Sequence, residues 1–131
     1  MRPPSASRSS AVILLAHGLR DPRWAEPFVR VAERVRSAAP GHRIELAYLE
    51  GLQPDLPTAA RRLASEGAQW IRVVPLFFGR GGHLREDVPA LIEQVRAALA
   101  GVSLELREAA GEDAQVIDAI AAFCLRAAGI S

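Results

Sequence analysis

Residues 11–22 read AVILLAHGLRDP, and this stretch predicts how the fold begins. Six β-prone apolar residues in a row are typical of a strand buried on both faces of a sheet. His17 and Gly18 follow directly, and Asp21-Pro22 then supply an N-cap and a proline suited to the first turn of a helix. The stretch therefore predicts a buried strand, a short polar loop and a helix.

The rest of the chain repeats this order of strand and helix. Three further strands are predicted at residues 43–49, 70–78 and 102–108. Apolar residues at helical spacing predict four helices, with inward positions at Trp24, Phe28, Val31 and Val35, at Leu56, Ala60 and Leu63, at Val88, Leu91, Ile92, Val95 and Leu99, and at Val116, Ile117, Ile120 and Cys124. Strands that alternate with helices argue for a parallel sheet covered by helices.

The strands also differ in a way that predicts their order. The first and third are continuous apolar runs, as expected at the centre of a sheet, whereas the second and fourth alternate, as expected at its edges. An order of 2-1-3-4 satisfies this with right-handed crossovers. Pro75 cannot donate to the ladder, so we place it at the carboxyl end of the third strand. The prediction is a three-layer α/β domain over residues 11–131, with a disordered tail at residues 1–10.

Composition excludes several functions. The net charge is +1, so no strong field favours nucleic acid or an anionic membrane. All 16 basic residues are arginine, which removes Schiff-base chemistry and the P-loop lysine. Cys124 is the single cysteine, so neither an intramolecular disulfide nor a cysteine-rich zinc site can form. No apolar run approaches the length of a membrane span, and we expect a cytoplasmic protein without an organic cofactor.

The predicted topology gathers polar residues at one rim of the sheet. In open α/β sheets, ligands bind outside the carboxyl ends of the strands, where the strand order reverses. Here that point lies between the first and third strands, whose following loops carry His17 and, after Gly81-Gly82, His83. Glu50 ends the second strand on the same rim. His42, the third histidine, precedes the second strand and is predicted to be an ordinary surface residue at the opposite rim.

Two histidines with an optional carboxylate suit a divalent transition metal. Imidazole binds Co²⁺, Ni²⁺, Fe²⁺ and Zn²⁺, and so small a ligand set leaves coordination positions open. An open position is what a metal ion needs if it is to pass to another ligand. A free imidazole can also accept a proton near neutral pH.

At these residues the sequence resembles the sirohydrochlorin chelatase family, the small class II cobaltochelatases of cobalamin biosynthesis. The resemblance runs from about Val12 to Phe123. The family's first loop reads His-Gly-Ser-Arg-Asp, and later motifs read Leu-Glu, Val-Pro-Leu-Phe and Gly-Gly-His. The matching residues are His17-Gly18-Leu19-Arg20-Asp21, Leu49-Glu50 with Pro54, Val74-Pro75-Leu76-Phe77, Gly81-Gly82-His83, and Asp87 with Pro89.

The resemblance implies a chelatase-like fold and a metal chelatase of the lyase class. Such an enzyme inserts a divalent metal, Co²⁺ first and Ni²⁺ or Fe²⁺ as alternatives, into sirohydrochlorin or a related carboxylated tetrapyrrole. It implies that His17 and His83 are the metal ligands, that one of them is the base, and that two copies form a homodimer. Glu50 is a third catalytic candidate. The substrate-binding candidates are Arg20, Arg80, Arg85, Gly81 and Gly82, of which Arg80 and Arg85 rest on position alone.

Leu19 departs from the family pattern, in which a serine stands beside the first histidine. The ligand pair is intact, but a hydroxyl that can orient the histidine or contact the substrate is missing. The choice of metal and of ring therefore stays open at the level of sequence.

Other functions compete with this interpretation. A carrier that holds metal or tetrapyrrole without turnover would have nearly the same sequence. A histidine phosphatase also places His-Gly after its first strand, but needs an arginine where this chain has Ala16. A response-regulator domain shares the architecture but needs a lysine.

Several residues have a structural role as the simpler prediction. Asp21 and Asp87 are expected to cap helices, and Cys124 to be a buried thiol. Trp24 and Phe28 are expected on a core face, with Trp24 close enough to the loop to floor the site. Of Phe77 and Phe78, one is expected to face the core.

Overall fold

The fold is known from a computed structural model, which describes residues 9–18, 20–79 and 82–130. The strands are β1 (Ser10–Ala16), β2 (Arg43–Tyr48), β3 (Trp70–Pro75) and β4 (Ser103–Leu106). The helices are α1 (Glu26–Ala38), α2 (Leu56–Ser65), α3 (Gly82–Ala98) and α4 (Ala114–Ala128), with 3₁₀ turns at Pro22–Ala25 and Ala110–Glu112. All strand pairs are parallel in the order β2-β1-β3-β4, which confirms the predicted order and fold class.

One face of the sheet carries the main core. Helices α2 and α3 cover this face, and the burial of apolar side chains there is the main stabilising contribution. The largest fully buried side chains are Ile13, Leu15, Leu56, Ile71, Ile92 and Val73. Asp55 caps the start of α2, since its carboxylate accepts a hydrogen bond from the Thr58 amide at 2.9 Å.

The other face carries a smaller core under α1, over β1 and β2. Ile44, Leu46 and Tyr48 of β2 share this face, consistent with the alternation predicted for the second strand. The predicted inward face of the first helix is only partly right, because Trp24 and Val31 are 63% and 41% exposed. Trp24 lies in a 3₁₀ turn with three residues per turn, so its spacing does not continue into the α-helix.

Strand β3 is buried on one face only. The prediction that it is covered on both faces is wrong for the face that carries Trp70, Arg72 and Val74. These three side chains are half-buried. These three residues share the face of α1, but α1 packs over the neighbouring half of the sheet. Pro75 pairs with Leu15 at the last register position of β3, so its position at the strand end is confirmed.

Helix α3 begins earlier than predicted. Asp87 was expected to cap its start. Gly82 and His83 lie in its first turn rather than in a loop, and Asp87 lies inside the helix and does not cap it. A glycine tolerates the helix start, whereas Pro89 lies inside the helix, where it cannot donate to the carbonyl four residues earlier. Arg80 and Gly81 lie outside the described residues, as do the side chains of His83 and Arg85.

The two ends of the described chain differ in burial. Ser10 is buried within β1, and residues 1–8 lie outside the described part of the chain. Cys124 is exposed, and the prediction of a buried thiol is wrong because α4 does not pack onto the sheet. None of the helices described is long and apolar enough to cross a membrane.

Candidate functional site

The loops that leave β1 and β2 are joined at the rim of the sheet. The Leu49 amide donates to the Ala16 carbonyl at 3.0 Å, and the Glu50 amide donates to the His17 carbonyl at 3.2 Å. These bonds continue the parallel ladder past the strands and hold Glu50 beside His17. The topology thus brings together two of the three predicted catalytic residues.

Gly18 makes this close approach possible. Its φ is +83°, a backbone conformation that glycine adopts without a steric penalty. A Cβ atom at this position would lie 2.2 Å from the Glu50 carbonyl oxygen and 3.0 Å from the Tyr48 Cβ. The glycine of the His-Gly pair therefore has a steric role: it lets the two loops touch.

In the His17 ring, Nδ1 contacts the backbone, whereas Nε2 has no partner among the residues that the structure describes. Its Nδ1 lies 3.2 Å from the Gly18 carbonyl oxygen, which can only accept, so this contact places the proton on Nδ1. The Glu50 Oε1 lies 4.0 Å from the same nitrogen. The Nε2 lone pair is then available to a metal ion or a proton. His17 is half exposed, and its ring meets Phe77 edge to face with centroids 6.2 Å apart.

An open cavity of about 600 Å³ lies in front of this histidine. Its volume falls in the range of small-molecule sites. The lining residues are His17, Leu49, Glu50, Asp87, Ala90, Leu91 and Gln94. Asp87 is thus part of the cavity wall, which the prediction of a helix cap had missed. Its place beside Pro89 in the family motif was the signal that could have identified it.

Two further clefts adjoin the first. One contains Arg20, Trp24 and Glu50, and the other is apolar, lined by His17, Trp24 and Phe28 together with the neighbouring backbone. Trp24 therefore lies beside the rim with its aromatic side chain exposed. This agrees with the prediction that Trp24 is close to the loop of the site. Arg20, predicted to bind substrate, lies on the same rim and is exposed.

Other predicted residues have simpler environments. Asp21 accepts from the Arg23 amide at 3.0 Å and pairs with its guanidinium at 2.7 Å, which holds the pKa of Asp21 below its usual range. Asp21 thus caps the 3₁₀ turn, as predicted. Phe77 is buried and Phe78 is 59% exposed, which confirms that only one faces the core. His42 is exposed at the opposite rim.

The described side chains do not by themselves complete a metal site. No group of three or more histidine, cysteine or acidic side chains is gathered among them, and the His83 side chain is outside the described part of the chain. What they provide at the rim is one imidazole, the Glu50 carboxylate beside it, and the Asp87 carboxylate across the cavity.

The chain resembles known proteins over most of its length. A sirohydrochlorin cobaltochelatase from Sulfurisphaera tokodaii is 31% identical over 107 residues, covering 82% of this chain and 84% of the relative. A solved structure of a CbiX protein from Marinobacter aquaeolei VT8 matches with a TM-score of 0.83 and 37% identity, covering 92% of this chain and 98% of the other.

A longer protein has the same fold. The sirohydrochlorin chelatase SirB from Bacillus subtilis subspecies spizizenii, solved in complex with cobalt, matches with a TM-score of 0.76 at 22% identity. The match covers 87% of this chain but 49% of SirB, so this chain spans about half of that protein's length.

The parallel sheet, its rim and these relatives define the class of protein: a metal chelatase, an enzyme of the lyase type. Within that class, the CbiX family model matches residues 11–126, and the chain belongs to the CbiX family.

Proposed function

We propose that this chain inserts a divalent metal ion, Co²⁺ first among them, into sirohydrochlorin or a related carboxylated tetrapyrrole. The observation that carries the proposal is His17, which lines the rim cavity and whose Nδ1 contacts the Gly18 carbonyl, so that Nε2 is the nitrogen left for a ligand. The relative from Sulfurisphaera tokodaii, a sirohydrochlorin cobaltochelatase, supports the choice of substrate and metal.

His83 is the proposed second ligand. Position 83 is one helical turn before Asp87 on α3, and positions four apart lie on the same side of a helix. Asp87 lines the cavity that contains His17, so this register supports a site shared between the β1 loop and α3. Two imidazoles leave coordination positions open for the pyrrole nitrogens of the incoming ring.

The reaction exchanges a metal ion for two protons. The two pyrrole N–H bonds of the ring break, both protons leave, and the nitrogen lone pairs bind the metal. A histidine or Glu50 accepts a proton as the metal passes from protein to ring.

The ring substrate is proposed to lie against the exposed rim. Trp24 offers a flat apolar surface there, and Arg20 offers a guanidinium suited to a substrate carboxylate. Arg80, Arg85, Gly81 and Gly82 remain substrate-binding proposals from their place in the sequence. Ni²⁺ and Fe²⁺ remain alternative metals, since histidine ligands accept all three ions.

We also propose that the working unit is a homodimer. The cavity is open to one side, and a flat ring needs a second wall to exclude water. The match to about half of SirB supports this arrangement, because a chain of twice the length has room for two such domains.

The test is an absorbance assay of the purified chain with sirohydrochlorin and Co²⁺, Ni²⁺ or Fe²⁺ in turn. We expect multiple turnovers above the spontaneous rate. His17→Ala and His83→Ala should each abolish insertion with the fold intact, whereas His42→Ala, a change of an exposed histidine at the opposite rim, should leave the rate unchanged. Near wild-type turnover by either rim variant would refute the assignment.

A carrier is the second candidate, favoured by the solvent exposure of the rim. A carrier would bind metal or ring with the same residues, but each chain would take up one equivalent of ligand and would not turn over. A single stoichiometric burst without further turnover would identify it.

A further inference from the structure

The His17 ring lies against a buried aromatic side chain. Its centroid is 6.2 Å from that of Phe77, and the two ring planes meet edge to face at 70°. Phe77 is only 9% exposed and belongs to the main core, whereas the His17 side chain is half exposed and lines the rim cavity. The contact therefore joins a side chain that packing holds in place to one that faces solvent.

The backbone of Phe77 is held from two sides. The Leu76 amide donates to the Leu15 carbonyl of β1 at 2.8 Å, and the Phe77 carbonyl accepts from the Gly111 amide at 2.8 Å. Gly111 lies in the 3₁₀ turn that follows β4. Hydrogen bonds to two different segments thus fix the chain around Phe77, in addition to the core that surrounds its side chain.

Gly111 is a glycine for reasons of space. A Cβ atom there would lie 2.1 Å from the Phe78 carbonyl oxygen and 2.6 Å from the Phe78 Cα. Its φ lies outside the left-handed region, so its backbone conformation does not itself require glycine. Only the close approach of the turn to the chain that leaves β3 requires it.

A half-exposed histidine needs support if it is to keep one orientation. Rotation about χ1 and χ2 gives an imidazole several orientations, and only some of them direct a chosen nitrogen into the cavity. The contact between the His17 Nδ1 and the Gly18 carbonyl, at 3.2 Å, is at the long end of the hydrogen-bond range. An edge-to-face aromatic pair biases an equilibrium between two rotamers by about two- to ten-fold.

We propose that Phe77 is a positioning residue for His17, and that the turn at Gly111 fixes Phe77 in that role. The proposal deepens the proposed function and rests on it for the ion that His17 binds. Phe77 offers no ligand atom, so it acts on the metal through the histidine. A ring held in its binding orientation raises the apparent affinity, because that affinity scales with the fraction of chains in the competent conformation.

The first test compares Phe77→Leu with Ile71→Val. Leucine keeps an apolar side chain in the core but has no aromatic ring, and Ile71 is a fully buried residue on the same face of the sheet. Calorimetry of the full chain with Co²⁺ alone, at a temperature where melts show both variants folded, should give an affinity about two- to ten-fold lower for Phe77→Leu. Ile71→Val should bind as wild type does. Wild-type affinity in Phe77→Leu, or an equal loss in both variants, would overturn the proposal.

Proton NMR of the metal-free chain gives a readout that a loss of stability does not move. The Phe77 ring current should shift the imidazole resonances of His17, and nuclear Overhauser effects should connect the two rings. Phe77→Leu should move the His17 resonances towards those of His42, the exposed histidine at the opposite rim, and leave His42 unchanged. A wild-type spectrum without contacts between the two rings would contradict the proposal.

Gly111→Ala tests the contribution of the turn. Gly79→Ala is the matched control, because Gly79 belongs to the same segment after β3 but a Cβ atom there meets nothing within 4 Å. We expect Gly111→Ala to change the His17 resonances and to lower Co²⁺ affinity, and Gly79→Ala to do neither. A folded Gly111→Ala chain with wild-type resonances would remove the turn from the proposal. If Gly111→Ala does not fold, Phe77→Leu still decides the role of Phe77.

His17→Ala separates this proposal from the proposed function. Co²⁺ binding that survives His17→Ala unchanged, or is absent from the wild-type chain, would refute the proposed function, and the NMR contact would still decide whether Phe77 orients His17. Co²⁺ binding that depends on His17 but not on Phe77 would refute the positioning role alone.

Discussion

Replacing Gly18 by alanine should separate the two loops that form the rim. At φ +83° any side chain is strained, and the new Cβ would also meet the Glu50 carbonyl oxygen at 2.2 Å. Gly41 is a matched control. Its φ is +87°, almost the same, but a Cβ atom there meets nothing within 4 Å.

Comparing the two variants separates the cost of backbone strain from the cost of steric overlap. An alanine held in the left-handed region loses about 1–2 kcal/mol, and this is the full expected effect of Gly41→Ala. Overpacking adds about 1–3 kcal/mol, because the obstacle at Gly18 is backbone that cannot rotate away. Gly18→Ala should therefore lower the free energy of unfolding by about 2–5 kcal/mol. For a chain of this size, we expect Tm to fall by about 8–20 °C.

Urea unfolding and thermal melts of both variants measure this difference. Binding of Co²⁺ by calorimetry then reports the site: affinity should fall for Gly18→Ala, since Glu50 moves away from His17, and stay unchanged for Gly41→Ala. Equal stability losses in the two variants would show that the Glu50 loop yields freely, and would refute the claim that Gly18 sets the spacing.

Two further predictions concern a helix cap and an exposed aromatic. Asp55→Ala should lower the free energy of unfolding by about 1 kcal/mol at pH 7. Asp55→Asn should retain most of this capping stabilisation. Hydrogen bonds from Thr58 hold the pKa of Asp55 below its usual range, so its stabilising effect is present above about pH 4 and is lost as the pH falls through the folded-state pKa. Urea titrations at pH 7 and pH 3 check this, and an equal effect of Asp55→Ala at both would contradict it. Trp24→Ala should change stability by less than about 0.5 kcal/mol and raise KM for the ring substrate, whereas Val29→Ala, at another exposed apolar residue, should change neither; an unchanged KM would remove Trp24 from the substrate surface.

The strand order was predictable because it depends on local pattern. The apolar run AVILLA and the alternating residues around Leu46 distinguish central from edge strands, and the right-handed crossover rule then leaves the order 2-1-3-4. The same topology placed His17 and Glu50 at one rim, since the carboxyl ends of parallel strands meet there.

The position of each helix start and the burial of each helix face were less predictable. Asp87 looked like a cap, but α3 begins at Gly82 and carries Asp87 into the cavity wall. Trp24 and Cys124 lie on apolar spacings that predict a core, yet both are exposed. Periodicity shows that a face is apolar, but only packing decides what covers it.

The sequence by itself determined a parallel α/β sheet, its order and the histidine at its rim, because these follow from hydrophobic pattern and chain connectivity. Only the tertiary structure decided that Gly18 lets the Glu50 backbone approach, that the His17 Nδ1 lies against the Gly18 carbonyl, and that the side chains of α4 are exposed. These depend on distances between segments remote in the chain, which local pattern does not encode.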